Sequence, residues 1–130
     1  MSSHRRGFTL IELLIVVVII GILAVIAIPK FATTKGSAAM AKMKGDLRNL
    51  ATAQESFYGD NNIYYSGPVP AAALLYNPSQ GVTITITAAN NAGWAATSAY
   101  TTLTTRTCAF YQGSVSPPAP ATVEGVVACN

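Results

Sequence analysis

The sequence predicts an α+β fold: one long N-terminal helix, apolar in its first half and amphipathic in its second, packed on a small antiparallel sheet of about three to four strands. Three observations predict it. Residues 8–28, FTLIELLIVVVIIGILAVIAI, are apolar except for Thr9 and Glu12. Met40, Met43, Leu47, Leu50, Gln54 and Phe57 then recur at spacings of three and four, which sets them on one helical face. From Val82 the period changes to two, with Val82, Ile84 and Ile86 alternating with Thr83, Thr85 and Thr87.

As a helix the apolar run is about 31 Å long, close to the hydrocarbon thickness of a bilayer. It exceeds the apolar core of an ordinary secretory signal, about 7–15 residues. No small-residue cleavage site stands cleanly at its end, since Ala24 and Ala27 lie inside it. The run is therefore expected to stay with the mature chain as a transmembrane segment, residues 8–29, behind a short polar leader, residues 1–7. Arg5 and Arg6 in that leader predict a cytoplasmic N-terminus. Lysines also follow the span, so charge bias alone is ambiguous; the two cysteines and the neutral, Thr-rich C-terminal part favour export of that part. Pro29 is expected to kink or interrupt the helix, because it removes one donor and clashes with the preceding turn.

Residues 30–130 make up the head. The amphipathic helix is expected to end near residue 60, in the turn cluster Tyr58-Gly59-Asp60-Asn61-Asn62. Residues 61–81 read as a loop, with Pro68, Pro70 and Pro78 and a helical turn around 71–75. Strands are expected over 82–87, 94–101 and 106–112, the first two joined by the turn Asn90-Asn91-Ala92-Gly93. Residues 123–129 add a last short strand or cover the sheet edge.

The chain has 130 residues, enough for one domain. Its formal charge of +3 is local: Arg5 and Arg6 precede the apolar run, and Lys30, Lys35, Lys42, Lys44 and Arg48 follow it. Bases that flank a span or line a solvated helix face are not a nucleic-acid footprint. No nucleotide loop, nucleophile elbow or metal-ligand spacing occurs, and the single histidine is His4 in the leader. Asp46, Glu55, Asp60 and Glu124 are scattered and read as solvated carboxylates. The sequence thus points to no enzyme, no cofactor, no metal and no nucleic-acid partner. Cys108 and Cys129 fit no zinc motif. In an exported segment they most simply form one disulfide, which would stabilise the fold by about 3 kcal/mol; two free buried thiols are the alternative.

One residue in the apolar run needs an explanation. An ionisable side chain at the bilayer centre costs about 3 kcal/mol on insertion scales, and Glu12, nearer one end, still needs a partner. A carboxylate that reaches the headgroups and does nothing is the bland reading. The surrounding segment is more specific. A basic leader, Gly7-Phe8-Thr9-Leu10-Ile11-Glu12, a long apolar run and Pro29 together resemble the type IV pilin and type II secretion pseudopilin family. Residues 53–58, AQESFY, with Asn62-Ile63-Tyr64 nearby, also resemble the end of the long helix in many pilins. The resemblance is strong over about the first 65 residues and architectural beyond.

The resemblance implies a mechanism. A prepilin peptidase of the bacterial inner membrane would cut between Gly7 and Phe8 on the cytoplasmic side and methylate the new Phe8 amine. Glu12 would pair with that amine on a neighbouring subunit and set the axial register of a helical homopolymer. The segment between Gly21 and Pro29 would be a weak part of the helix. An assembly platform and ATPases would lift the subunit from the membrane, where its head lies outside the cytoplasm, into a cell-surface filament. Similar subunits serve adhesion, twitching movement, DNA uptake and electron transfer. A pseudopilin of a type II secretion system is the alternative; it usually lacks a C-terminal staple and often has a calcium site there, whereas only Glu124 lies in the last twenty residues here. A plain single-pass anchored protein explains the apolar run but not the combination of Gly7, Phe8 and Glu12.

Overall fold

The computed structural model describes residues 7–130. Arg5, Arg6 and His4 of the leader lie outside the described residues. The chain divides into two compact units between Lys35 and Gly36. Helix α1, Leu10–Asn61, runs through both without a break in its assignment.

In the first unit α1 is nearly all Leu, Ile, Val and Ala, and its side chains are exposed almost throughout. Pro29 lies inside the helix. The interruption expected there is absent. One proline removes one backbone donor, and the turns on either side still close their own bonds. Just beyond it the hydroxyls of Thr33 and Thr34 each donate to the Lys30 carbonyl at 2.9 Å.

In the second unit one face of α1 is buried: Ala39, Met43, Asp46, Leu47, Leu50 and Gln54. The helix ends on Asn62, whose left-handed φ of 57° lets its N–H return to the Tyr58 carbonyl at 2.8 Å. Asn tolerates this conformation better than other non-glycine residues. The Asn61 amide adds a bond to the Phe57 carbonyl at 2.9 Å.

The sheet is a meander of β1 (Val82–Ala89), β2 (Gly93–Tyr100), β3 (Leu103–Gly113) and β4 (Ala128–Cys129), all antiparallel and in the order β1-β2-β3-β4. Period-two alternation buries Val82 and Ile84 of β1, whereas β2 is buried continuously from Gly93 to Ala96, with Ser98 beyond. With Cys108 and Phe110 of β3, Val82, Ile84, Trp94 and Ala96 meet Met43, Leu47 and Leu50 in one core. Trp94 and Phe110 pack with ring centroids 5.1 Å apart. The β1–β2 turn is set by Asn90, whose side-chain oxygen accepts from Ala92 N at 2.7 Å and Gly93 N at 2.9 Å. Gly93 is required there, since a Cβ would sit 2.3 Å from the Gln112 carbonyl oxygen.

The C-terminal tail closes the far edge of the sheet. Cys108 pairs with Cys129 across β3 and β4, and their sulfurs are bonded. Asn130 N–H donates to the Thr107 carbonyl at 3.2 Å, and Gly125 N–H to that of Tyr111 at 3.0 Å. β3 starts three residues earlier than the sequence predicts, and β4 is only two residues long.

Two carboxylates depart from the expected solvated role. Asp46 is buried; its oxygens accept from Ser79 N and Ser79 Oγ, both at 3.0 Å. Its position beside the apolar stripe places it under the loop, so the loop's donors replace water. Tyr76 closes the same joint by donating to the Asp46 carbonyl at 3.0 Å. Burial, with Asp46 nearby, pushes the Tyr76 phenol above its usual pKa. Glu124 is exposed, but its Oε1 accepts from the Gly113 N–H at 2.6 Å. Gln54, read as part of an apolar stripe, is fully buried and acts as a stand-in strand. It donates to the Tyr65 carbonyl and accepts from Tyr65 N–H, both at 2.9 Å.

Two outcomes are expected. Asp46→Ala leaves two donors of Ser79 without an acceptor and should lower stability by about 2 kcal/mol; Asp46→Asn, which keeps one acceptor, should cost less. Chemical denaturation of the two variants against the parent chain checks the order. Thiol labelling of denatured, unreduced protein should find no free sulfhydryl, and Cys129→Ser should cost about 3 kcal/mol. Two reactive thiols, or an unchanged midpoint, would contradict the staple.

Candidate functional site

The site is the start of α1 and the apolar surface that follows. Gly7, Phe8 and Thr9 precede the first helical turn and have no regular structure. Among the described residues nothing lies within 4 Å of where a Gly7 Cβ would stand. Phe8 is 79% exposed. A glycine in an open, irregular segment takes an extended backbone at no steric cost. Gly7 and Phe8 are thus side by side and accessible at the head of the helix.

Thr9 and Glu12 are joined. Glu12 Oε2 accepts from the Thr9 N–H at 2.8 Å and from the Thr9 hydroxyl at 2.7 Å. In return the Glu12 N–H donates to Thr9 Oγ1 at 3.3 Å, and Leu13 N–H closes the first turn on the Thr9 carbonyl at 3.3 Å. This is a capping box, with Thr9 at the N-cap and Glu12 three residues on. It satisfies donors that the first turn cannot pair internally. The carboxylate also lies at the positive end of the helix dipole. Glu12 is thus partnered within its own chain, by Thr9, and not only by the neighbouring amine that the resemblance implies. The signal was present: Thr-x-x-Glu ahead of an apolar run is the pattern of a capping box. Oε1 makes no hydrogen bond among the described residues, so one oxygen is used by the cap and one is free.

From Leu10 to Phe31 the helix exposes its large apolar side chains on every side; Leu10 is 85%, Ile19 51% and Ile28 71% exposed. It is the one helix among the described residues long and apolar enough to cross a membrane. So large an apolar surface demands cover by lipid or by other helices. At its end Lys35 lies over the Phe31 ring, 5.6 Å from the centroid. Gly21 has open space where a Cβ would be. Cys108 and Cys129 belong to the other unit and serve its sheet.

Residues 2–28 match the family described as "Prokaryotic N-terminal methylation motif". Over its N-terminal half the chain is similar to type IV pilins and type II secretion pseudopilins. The "Type IV major pilin protein PilA" of Myxococcus xanthus is 52% identical over 63 residues, 48% of this chain and 29% of that protein. The "Type II secretion system core protein G" of Pseudomonas aeruginosa is 38% identical over 76 residues, 58% of this chain and 54% of that protein. The "Type IV major fimbrial protein FimA" of Dichelobacter nodosus is 45% identical over 56 residues, 43% of this chain and 36% of that protein. The chain thus spans between 29% and 54% of the length of these pilin-like relatives. None of the three carries the name of an enzyme.

Proposed function

We propose that the chain is the precursor of a structural subunit of a type IV pilus, cut between Gly7 and Phe8 and polymerised through its N-terminal helix. The observation that supports it best is the conjunction at the helix start. An accessible Gly7–Phe8 junction stands directly before a capped helix whose apolar run, Leu10 to Phe31, holds one carboxylate, Glu12, and one oxygen of it is bonded to none of the described residues. Before assembly the apolar surface from Leu10 to Phe31 rests in the inner membrane, with the head outside the cytoplasm. In the filament the same surface of neighbouring copies replaces the lipid.

The chemistry of processing follows from position. Hydrolysis of the Gly7–Phe8 bond creates an amine at Phe8, with an unperturbed pKa of about 7.7–8.0 and hence largely cationic at neutral pH. On a neighbouring copy Oε1 of Glu12 is available to it, while Oε2 holds the cap. A charge pair in an apolar surround is strongly favoured over either charge alone. Such a pair sets axial register, as a polar residue does in a coiled-coil core. Withdrawing about twenty apolar side chains from lipid into water would cost tens of kcal/mol. A helical homopolymer must therefore accept each subunit as lipid releases it, and a peptidase, a platform and an ATPase belong to this reading. Between Gly21 and Pro29 the helix is the stretch most able to extend on assembly.

A second reading, a pseudopilin of a type II secretion system, is favoured by the longer match to the G-type core protein. The Cys108–Cys129 staple of the tail favours the pilin.

Mass spectrometry of sheared filaments should find a mature chain that begins at Phe8 with a methylated amine. A mature terminus at Met1, or beyond Ile28, would remove the assignment. The two roles of Glu12 separate by substitution. Glu12→Gln keeps a capping box, since Gln also serves at that position, but removes the charge. Glu12→Ala removes both. Membrane insertion and cleavage should persist in both variants. If the charge pair drives register, filament yield should fall steeply in both. A normal filament yield from Glu12→Gln would leave Glu12 only its capping role.

A further inference from the structure

We propose that the open edge of β1 is a self-association surface, at which two copies of this chain pair strand to strand, β1 against β1, antiparallel. The two edges of the sheet are treated differently. At the β3 edge the chain supplies its own cover: β4, the disulfide, Asn130 on Thr107, Gly125 on Tyr111 and Glu124 on Gly113. At the other edge β1 pairs with β2 alone. Its ends are tied, by Val82 N–H to Ser79 O at 2.9 Å and by Tyr64 N–H to Asn90 O at 3.1 Å. Between them, residues 83–88 hydrogen-bond to nothing but β2 among the described residues. In an antiparallel strand every second residue turns its N–H and C=O away from its partner. Those groups form a ready template for another strand.

The usual protections of such an edge are sparse here. β1 is VTITITAA, with no charge and no proline. Its one irregularity is a bulge between Ile86 and Ala88, which leaves Val82–Ile86 in regular register with β2. The pattern also names the occupant. A twofold pairing centred on Thr85 sets Ile84 opposite Ile86 within the regular stretch and Thr83 opposite Thr87, the residue at the bulge. Threonines therefore meet threonines on the exposed face, and isoleucines meet isoleucines on the core face. No like charges meet, so the strand is its own complement. Because the tail is bonded along Thr107 to Gly113 of the other edge, β1 is the longer open edge among the described residues. The contact is therefore isologous and stops at two copies. It joins heads in pairs and cannot by itself extend a filament, so it is a lateral contact between membrane-anchored subunits or between neighbouring filaments. The filament reading enters only in bringing copies close together.

The test uses the full chain in membranes, where cross-linking is scored independently of filament yield. Thr83→Cys, Thr85→Cys and Thr87→Cys are exposed on β1 and are treated with a short bis-thiol reagent. Thr85→Cys should give the most dimer, and a control at exposed Ser56 should give only background. Adding Thr83→Lys and Thr87→Lys to the Thr85→Cys chain should abolish the dimer, as should Thr83→Glu with Thr87→Glu. Co-expression of the Lys and Glu chains should restore it, a rescue that misfolding could not produce. Background cross-linking at all three threonines overturns the proposal. So does an adduct with a different protein, or a dimer indifferent to the added charges. Loss of filaments with the cross-link intact would overturn the filament reading and leave the strand pairing standing.

Discussion

The rest of the structure depends on what covers each half of α1. From Leu10 to Phe31 the large apolar side chains of the helix are exposed. From Ala39 onward the helix turns Met43, Leu47 and Leu50 into a core with Trp94 and Phe110. Apolar burial at about 25 cal/mol per Å² makes both surfaces unable to remain in water. The second is satisfied by folding. The first lies exposed and calls for cover by lipid or by other helices.

The head carries few charges, and hydrogen bonds fix much of its loop and tail. Asp46 holds Ser79, Gln54 holds Tyr65, Glu124 holds Gly113 and Asn90 shapes the β1–β2 turn. Each is a side chain that satisfies backbone donors where a strand or helix cannot. Buried donors left unpaired cost more than a typical bond gains. These joints therefore set the path of the loop and the tail more sharply than the apolar core does. Trp94 is the exception: its indole N–H is buried with no partner among the described residues, and no physical account of it is evident.

Periodicity made much of this legible. The change from a spacing of three and four to a spacing of two located the helix face and the first strand, and two lone cysteines gave the staple. The missed features share a cause. Asp46 and Gln54 lie on or beside an apolar stripe, and composition alone reads one as solvated and the other as filler. Their partners, Ser79 and Tyr65, are 33 and 11 residues away, so the sequence shows no local pattern that links them. The capping box differs: Thr9 and Glu12 are three residues apart, and the pattern was readable. It was overlooked because a carboxylate in an apolar run draws attention to partners across a membrane rather than to the turn it begins.

That local role bears on the proposed pairing of the carboxylate with the amine of a neighbouring copy. A free carboxylate entering an apolar surround would lose its water before gaining a counter-charge, a penalty of several kcal/mol. Glu12 enters with Oε2 already bonded to the N–H and hydroxyl of Thr9. Part of its desolvation is thus offset within the subunit, and its side chain is fixed in one orientation. Ordering it again on contact with a neighbour costs less side-chain entropy. Oε1 is then presented in a defined direction relative to the helix axis. A register contact needs such a direction, because a freely rotating charge would accept an amine over a range of axial offsets. The cap and the proposed intersubunit pair are therefore not rival explanations of one residue: the first would prepare the geometry that the second requires.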